Sequence, residues 1–368
     1  MAKYIYQHKD WTNFTWQDKA INAVFGEVRN LQGKILVQVN AIGFAIKEET
    51  NLETLTLDVI HSSEIEGEQL NYEQVRSSIA RLLGLEVSDL IASSRDVDGI
   101  VEMMLDATLR HKQPLTEERL FGWHSALFPI ARSGMYKIEV AKYRTGEMLV
   151  VSGAMGKEKI HYQAPAPHLV KAQMDKFLDW FNEENEIDPV LKSAIAHFWF
   201  IIIHPFDDGN GRIARAISDL LLARSDKSVE RFYSMSSQIL VERKQYYAIL
   251  QKVQHSSGDI TDWLVWFLNC LKNALLATEK VLEKTLFKAE FWNTHENTAI
   301  NERQRLVLNK LLGNFKGKLT TSKWAKMTKS SQDTALRDIS DLVNKGILEK
   351  ANSGGRSTHY LLNLKAKN

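Results

Sequence analysis

The stretch from residue 204 to residue 215 reads His-Pro-Phe-Asp-Asp-Gly-Asn-Gly-Arg-Ile-Ala-Arg and follows the most apolar run of the chain. Gly209, Asn210 and Gly211 let the backbone turn tightly into a helix beginning near Arg212, which leaves unpaired N–H groups at a positive helix end. Such an end cradles anions, phosphate above all. Arg212 and Arg215 are three residues apart, so they project from one helix face and can each grip phosphate oxygens with two nitrogens. Asp208, just ahead of the turn, suits Mg²⁺, which binds through one or two carboxylates plus substrate phosphates. His204 closes the apolar helix before the turn, where an imidazole can take a proton from an incoming hydroxyl near neutral pH. The residue types that phosphate-ester chemistry needs therefore fall within twelve positions.

Outward from this stretch, the chain of 368 residues is longer than one ordinary core and implies two or three domains. With 44% hydrophobic and 25% charged residues it has the profile of a soluble globular protein. A net charge of +2 predicts no strong polyanion affinity for the chain as a whole, so a nucleic-acid surface would have to be local. Cys270 is the only cysteine, which excludes an intrachain disulfide and a Cys-based zinc cluster and fits a reducing compartment. The first residues lack the apolar core of a signal peptide, and Ile195–Ile203, interrupted by His197, is too short to span a bilayer. A cytoplasmic protein with no membrane partner is expected.

Helical spacing dominates, with only six prolines to break it. It predicts one or two helices over Trp16–Glu48 and another over Leu52–Ser63, with Gly67 as a stop and Asn71 with Gln74 as a capping box for the next. The segment Lys142–Pro167 departs from this habit: Met148–Ser152 and Lys159–Gln163 read as short strands around Gly153–Gly156. Helices resume at Leu169, and Pro189 suits a first helical turn. Toward the end, Asn301–Leu312, Trp324–Thr328 and Ser331–Asn344 read as three helices before a glycine-rich hairpin at Ser353–Arg356, the order of a winged helix.

The 204–215 stretch resembles the Fic family, whose signature H-x-F-x-[DE]-G-N-G-R-x-x-R it meets at each specified position. The resemblance runs from near residue 50 to about residue 275 and implies a mostly α fold. Its parts would be an N-terminal helical extension (1–90), a helical Fic core with a β-hairpin flap (91–290) and a C-terminal winged helix (300–368). It implies that His204 is a general base and Asp208 a magnesium ligand. Gly209, Asn210, Gly211, Arg212 and Arg215 would hold the phosphates of ATP, and Phe206 would anchor the loop in the core. The hairpin resembles the family's flap, which docks a target segment by strand addition, with Lys159, Ile160, His161, Tyr162 and Gln163 as the docking strand. Tyr246, Tyr247 and Gln254 fall where members line the adenine pocket, although the spacing to Gly258-Asp259 is longer than usual.

Ser62-Ser-Glu-Ile-Glu-Gly67 fits the family's inhibitory pattern [ST]-x-x-x-E-[GN], with Ser62, Glu66 and Gly67 as its fixed points. By resemblance Glu66 pairs with Arg215 and fills the space the γ-phosphate needs, as a carboxylate and a phosphate compete for the same guanidinium. The implied function is a self-inhibited protein adenylyltransferase that moves AMP from ATP, with Mg²⁺, to a hydroxyl of a target protein. Two alternatives remain open: a hydrolase that removes AMP with the same core, and a DNA-binding regulator whose core senses nucleotide. Lys323, Lys326, Lys329, Arg337 and Arg356 could meet DNA phosphates, diluted by Asp333, Asp338 and Asp341. A homodimer also stays open. The target and the direction of the reaction are not readable from the residues.

Overall fold

A computed structural model describes residues 2–87, 89–152, 159–184, 186–313, 315, 317–351 and 358–363. It is mostly helical, and its described strands form three two-stranded antiparallel sheets. The chain divides into two compact units, Met1–Glu279 and Lys280–Asn368.

The first unit opens with a single 3₁₀ turn, Ile5–Gln7, and continues with α1 (Asp18–Ala41), α2 (Phe44–Ile65), α3 (Tyr72–Leu83), α4 (Arg95–Leu109) and α5 (Glu117–Leu127). Two small hairpins follow, β1 (Arg132–Ser133) with β2 (Tyr136–Lys137) and β3 (Leu149–Ser152) with β4 (Lys159–Gln163). Then come α6 (Pro167–Asn182), α7 (Pro189–Ile203), α8 (Asn210–Asp226), α9 (Met235–Val241), α10 (Arg243–Val253) and α11 (Thr261–Thr294), which begins in this unit and runs past its boundary at Glu279. The first hairpin was not anticipated, because two-residue strands are too short to show alternation.

The centre of this unit is α7 packed along α8. Helix α7 buries residues on every face, from Val190 through Phe198 to Ile203, as only an interior helix does. Asp188 caps its start by accepting from the Val190 N–H (2.8 Å), and Pro189 takes the first-turn position where no N–H is needed. Asn71 likewise caps α3 by accepting from the Gln74 N–H (3.0 Å). In the second hairpin the register shifts between Val150 and Val151, leaving His161 as the extra residue of a bulge. Its expected turn, Gly153–Gly156, lies outside the described residues.

The amino-terminal segment braces that hairpin. The Ile5 N–H donates to Gln254 O (2.7 Å), the ring of Tyr4 meets Tyr162 edge-on at 5.1 Å, and Tyr6 meets it at 6.2 Å. Tyr162 is buried and donates its hydroxyl to Ile202 O (2.6 Å), which ties β4 to the last turn of α7.

The second unit holds α12 (Glu302–Leu312), α13 (Thr321–Thr328), α14 (Gln332–Asn344), β5 (Leu348–Lys350) and β6 (Tyr360–Leu362). Its separate core gathers Val307, Leu308, Trp324, Ile339 and Leu342. The hairpin tip Ser353–Arg356 lies outside the described residues. Among the described residues no helix is long and apolar enough to cross a membrane.

Candidate active site

Helix α8 starts at Asn210, two residues earlier than the sequence suggests. The residue before it, Gly209, has φ of 79° and no side chain to cap the exposed N–H groups. A Cβ there would lie 2.9 Å from a Phe128 ring carbon, so the position is closed to side chains by conformation and by space. The loop is fixed from within by Asn210. Its Oδ1 accepts from the Phe206 N–H (3.0 Å) and its Nδ2 donates to Phe206 O (2.8 Å). The Asn210 side chain thus shapes the loop, and its backbone N–H belongs to the helix end. Phe206 is fully buried and stacks on His124 at 4.2 Å.

His204 ends α7 in the left-handed region (φ 50°, ψ 61°), an uncommon conformation for a residue with a Cβ. Arg144 explains how it is held. This buried arginine donates from Nε to His204 O (2.8 Å), from one Nη to Gly146 O (2.9 Å) and from the other to Pro165 O (2.5 Å). The His204 Nδ1 lies 3.3 Å from Ile201 O; a carbonyl can only accept, so Nδ1 carries the proton and Nε2 keeps a lone pair. Burial pushes this imidazole down to about 4, against the opposing pull of Ile201 O, so it is neutral at pH 7.

Asp208 accepts from the Gly209 N–H through Oδ1 (2.6 Å) and from the hydroxyl of Ser133 through Oδ2. The neighbouring Asp207 accepts from the Glu139 N–H (2.9 Å), so the β1–β2 hairpin and the segment after it are stitched to both acids of the loop.

The two arginines are almost fully buried. Arg215 donates from Nε to the Ser62 hydroxyl (2.9 Å) and from Nη2 to both Ser62 O (2.7 Å) and Glu66 Oε1 (2.8 Å). The carboxylate of Glu66 lies over Gly211: a Cβ built on that glycine would be 2.1 Å from Glu66 Oε1. Gly67, with φ of 91°, reverses the chain directly after Glu66. Ser62 and Glu66 therefore meet Arg215 at the end of α2, Glu66 also lies over Gly211, and Gly67 supplies the turn that follows.

Of the residues expected at the adenine, Tyr246 and Tyr247 are neighbours, with rings 5.1 Å apart. The Tyr246 hydroxyl lies 2.9 Å from Nε2 of buried His197, and the Tyr247 hydroxyl is 3.4 Å from Ile65 O at the end of α2. Gln254 is not grouped with them. It stands eight residues further along, about 12 Å of helix, and its Nε2 donates to His161 O of the flap (2.8 Å). Within the flap, Lys159 pairs with Ser152 and Gln163 with Leu149, while Leu149, Val150, Val151 and Ile160 are exposed.

Sequence reasoning missed Arg144, Ser133, His124 and Glu68. Each acts on a partner far along the chain, and none sits in a local pattern that marks it.

Residues 114–222, which hold the helix end and both arginines, match the Fic/DOC family. Residues 4–85 match a family described as a domain of unknown function (DUF4172). The chain is 25% identical over 224 residues to the protein adenylyltransferase Fic of Nematostella vectensis, covering 59% of this chain and 47% of that one. It is 30% identical over 182 residues to the protein adenylyltransferase fic-1 of Caenorhabditis briggsae, covering 47% and 32%. The chain thus spans between a third and a half of these relatives. Among solved structures, a Fic family protein from Desulfovibrio desulfuricans G20 aligns over 97% of this chain and 99% of its own with a TM-score of 0.54 at 21% identity. A Fic domain containing signaling protein from Bacteroides thetaiotaomicron aligns over 72% and 98% with a TM-score of 0.50, also at 21% identity. At that identity the likeness is one of fold.

Proposed function

We propose that the chain is a protein adenylyltransferase held in check by Glu66, with ATP as the donor and a hydroxyl of another protein as the acceptor. The observation that carries the reading is a neutral histidine with a free Nε2 beside a helix end that presents uncapped N–H groups and two buried guanidiniums. Nε2 of His204 takes the proton of the acceptor hydroxyl, the oxygen attacks the α-phosphorus of ATP, and the bond to the leaving pyrophosphate breaks. Gly209, Gly211 and the backbone N–H of Asn210 receive phosphate oxygens, and Arg212 and Arg215 neutralise the charge that builds on them. Asp208 fits Mg²⁺, since it is a single carboxylate beside a phosphate cradle and the metal takes its remaining ligands from phosphate and water. Bound with the nucleotide, Mg²⁺ would screen the phosphate charge.

Glu66 occupies the cradle over Gly211 and engages Arg215, so ATP enters a productive pose only when that carboxylate leaves. A protein acceptor is supported by the flap, whose exposed Leu149, Val150, Val151 and Ile160 suit strand addition by a peptide segment. Tyr246 and Tyr247 remain the proposed neighbours of the adenine. The test is transfer from ATP labelled on the α-phosphate: His204→Ala should lower the rate by about 10²- to 10⁴-fold with nucleotide binding retained. Full transfer by that variant would remove His204 from its role.

A second reading applies to residues 280–368, for which we propose duplex DNA as a partner of a winged helix. The near-neutral total hides a partition: this unit has 17 Lys and Arg against 8 Asp and Glu, net +9, whereas residues 1–279 have 30 against 37, net −7. Two of the acids that dilute α14 in sequence are turned to internal partners. Asp338 is bound by Arg303 Nε (2.8 Å) and Asn301 Nδ2 (3.0 Å), and Asp341 by Gln304 Nε2 (2.7 Å) and Lys345 Nζ (2.5 Å). Lys326, Lys329 and Arg337 stay exposed. Anisotropy of a labelled duplex with the full chain should show affinity falling steeply with salt; no binding at low salt overturns it.

A further inference from the structure

The end of α2 aims two acids at α8. The Gly67 N–H donates to Glu64 O (3.0 Å) and the Glu68 N–H to Ser63 O (3.1 Å), the paired closure that lets a chain double back behind a helix. The reversal brings Glu66 and Glu68 against the same face of α8. Glu66 Oε1 accepts from Arg215 Nη2 at 2.8 Å, and Glu68 Oε2 accepts from Arg212 Nη1 at 2.6 Å.

We propose that Glu68 is a further residue of the nucleotide site, holding Arg212 as Glu66 holds Arg215, so that the phosphates of a nucleotide must displace Glu68 from Arg212. The inference rests on the adenylyltransferase reading for the identity of the anion.

An exposed ion pair usually contributes little and carries no such meaning. Arg212 is not exposed: its side chain is 3% accessible, its guanidinium lies 5.1 Å from the Phe128 ring centre, and its buried Nε has no partner among the described residues. The ring fixes the arginine whether or not Glu68 is present, and the guanidinium stands in the first turn of the uncapped helix. It is therefore a preset anion receiver that a carboxylate is borrowing. Glu68 can let go, because its side chain is 46% accessible and regains water as it swings out. It is also held against resistance. Burial raises its carboxyl above the usual range, Arg212 pulls it down, and the charges of Asp208, Glu66 and Asp96 push it up again. Repulsion from the other three acids thus favours the departure of Glu68 from Arg212 when a phosphate takes its place.

Nucleotide affinity should then depend on phosphates through Glu68 and not on the nucleoside. Calorimetric titration of the full chain with ADP and with adenosine, both without metal, tests this. Glu68→Gln keeps the shape and removes the charge, and should tighten ADP by about threefold to tenfold, in the range of one partly exposed ion pair. Adenosine affinity should not change. In an Arg212→Ala background the same substitution should have no effect on ADP, which a merely structural role would not produce. Equal ADP affinities for wild type and Glu68→Gln, or equal tightening of adenosine, would overturn the inference. If Glu66→Gln tightens ATP and Glu68→Gln does not, the adenylyltransferase reading stands and this one falls. If no phosphate ligand binds any variant, both fall.

Discussion

Replacing Arg144 by alanine should separate the framework of the site from its chemistry. Arg144 spends its guanidinium on three carbonyls, of His204, Gly146 and Pro165, and is 2% exposed. Hydrogen bonds from a charged donor contribute about 1.5–3 kcal/mol each, and partial relaxation of the freed carbonyls toward water reduces the sum, so a loss of about 3–5 kcal/mol is expected. The same bonds hold His204 in its left-handed turn, so the imidazole should lose its aim. Misplacement by about 1 Å costs on the order of 10²-fold in rate. Urea unfolding with linear extrapolation measures the first effect, and single-turnover AMP transfer in a Glu66→Gly background measures the second. Arg144→Lys should recover only part of both, because an ammonium cannot span three acceptors held in a planar fork. Stability within about 1 kcal/mol of the parent, together with an unchanged transfer rate, would refute the idea that Arg144 sets the His204 turn.

Two further outcomes follow from the same geometry. Burial holds His197 at about 3, His124 at about 4 and His204 at about 4, all below the ordinary histidine value. Between about pH 4 and pH 6.5 the unfolded chain binds protons there that the folded chain does not, so stability is full above about 6.5 and falls as pH drops, by up to about 1.4 kcal/mol per pH unit for each histidine. Urea midpoints across that range check the sign, and midpoints rising on acidification would contradict it. Asn210→Asp should destabilise more than Asn210→Ala, by about 1 kcal/mol or more, because it keeps the acceptor for the Phe206 N–H but sets an oxygen against Phe206 O; thermal unfolding of the two variants decides it.

The turn into α8 could be read from the sequence because Gly-Asn-Gly followed by two arginines is local chemistry, and so could the helices, whose periodicity repeats over several turns. The reading fails where contacts span long separations. Nothing near Arg144 marks it as a clamp on residue 204, and nothing near Ser133 marks it as a partner of Asp208, 75 residues on. Glu68 escaped because the inhibitory pattern ends one residue before it, and only the reversal at Gly67 brings it onto Arg212. Gln254 has another long-range partner that its place in the chain does not mark: its amide donates to His161 O of the flap. The total of +2 leaves room only for a local basic surface, and the division into two units shows where the positive charge gathers.

The central claim is that this chain transfers AMP and that Glu66 withholds Arg215 from the nucleotide. The direct measurement is incorporation of label from α-labelled ATP into protein by wild type and by Glu66→Gly at equal concentration. Freeing a buried guanidinium for phosphate should raise incorporation by at least about tenfold, the equivalent of 1.4 kcal/mol, and adding Arg215→Ala should abolish the gain. Equal labelling by wild type and Glu66→Gly would contradict the account, as would a gain that survives Arg215→Ala.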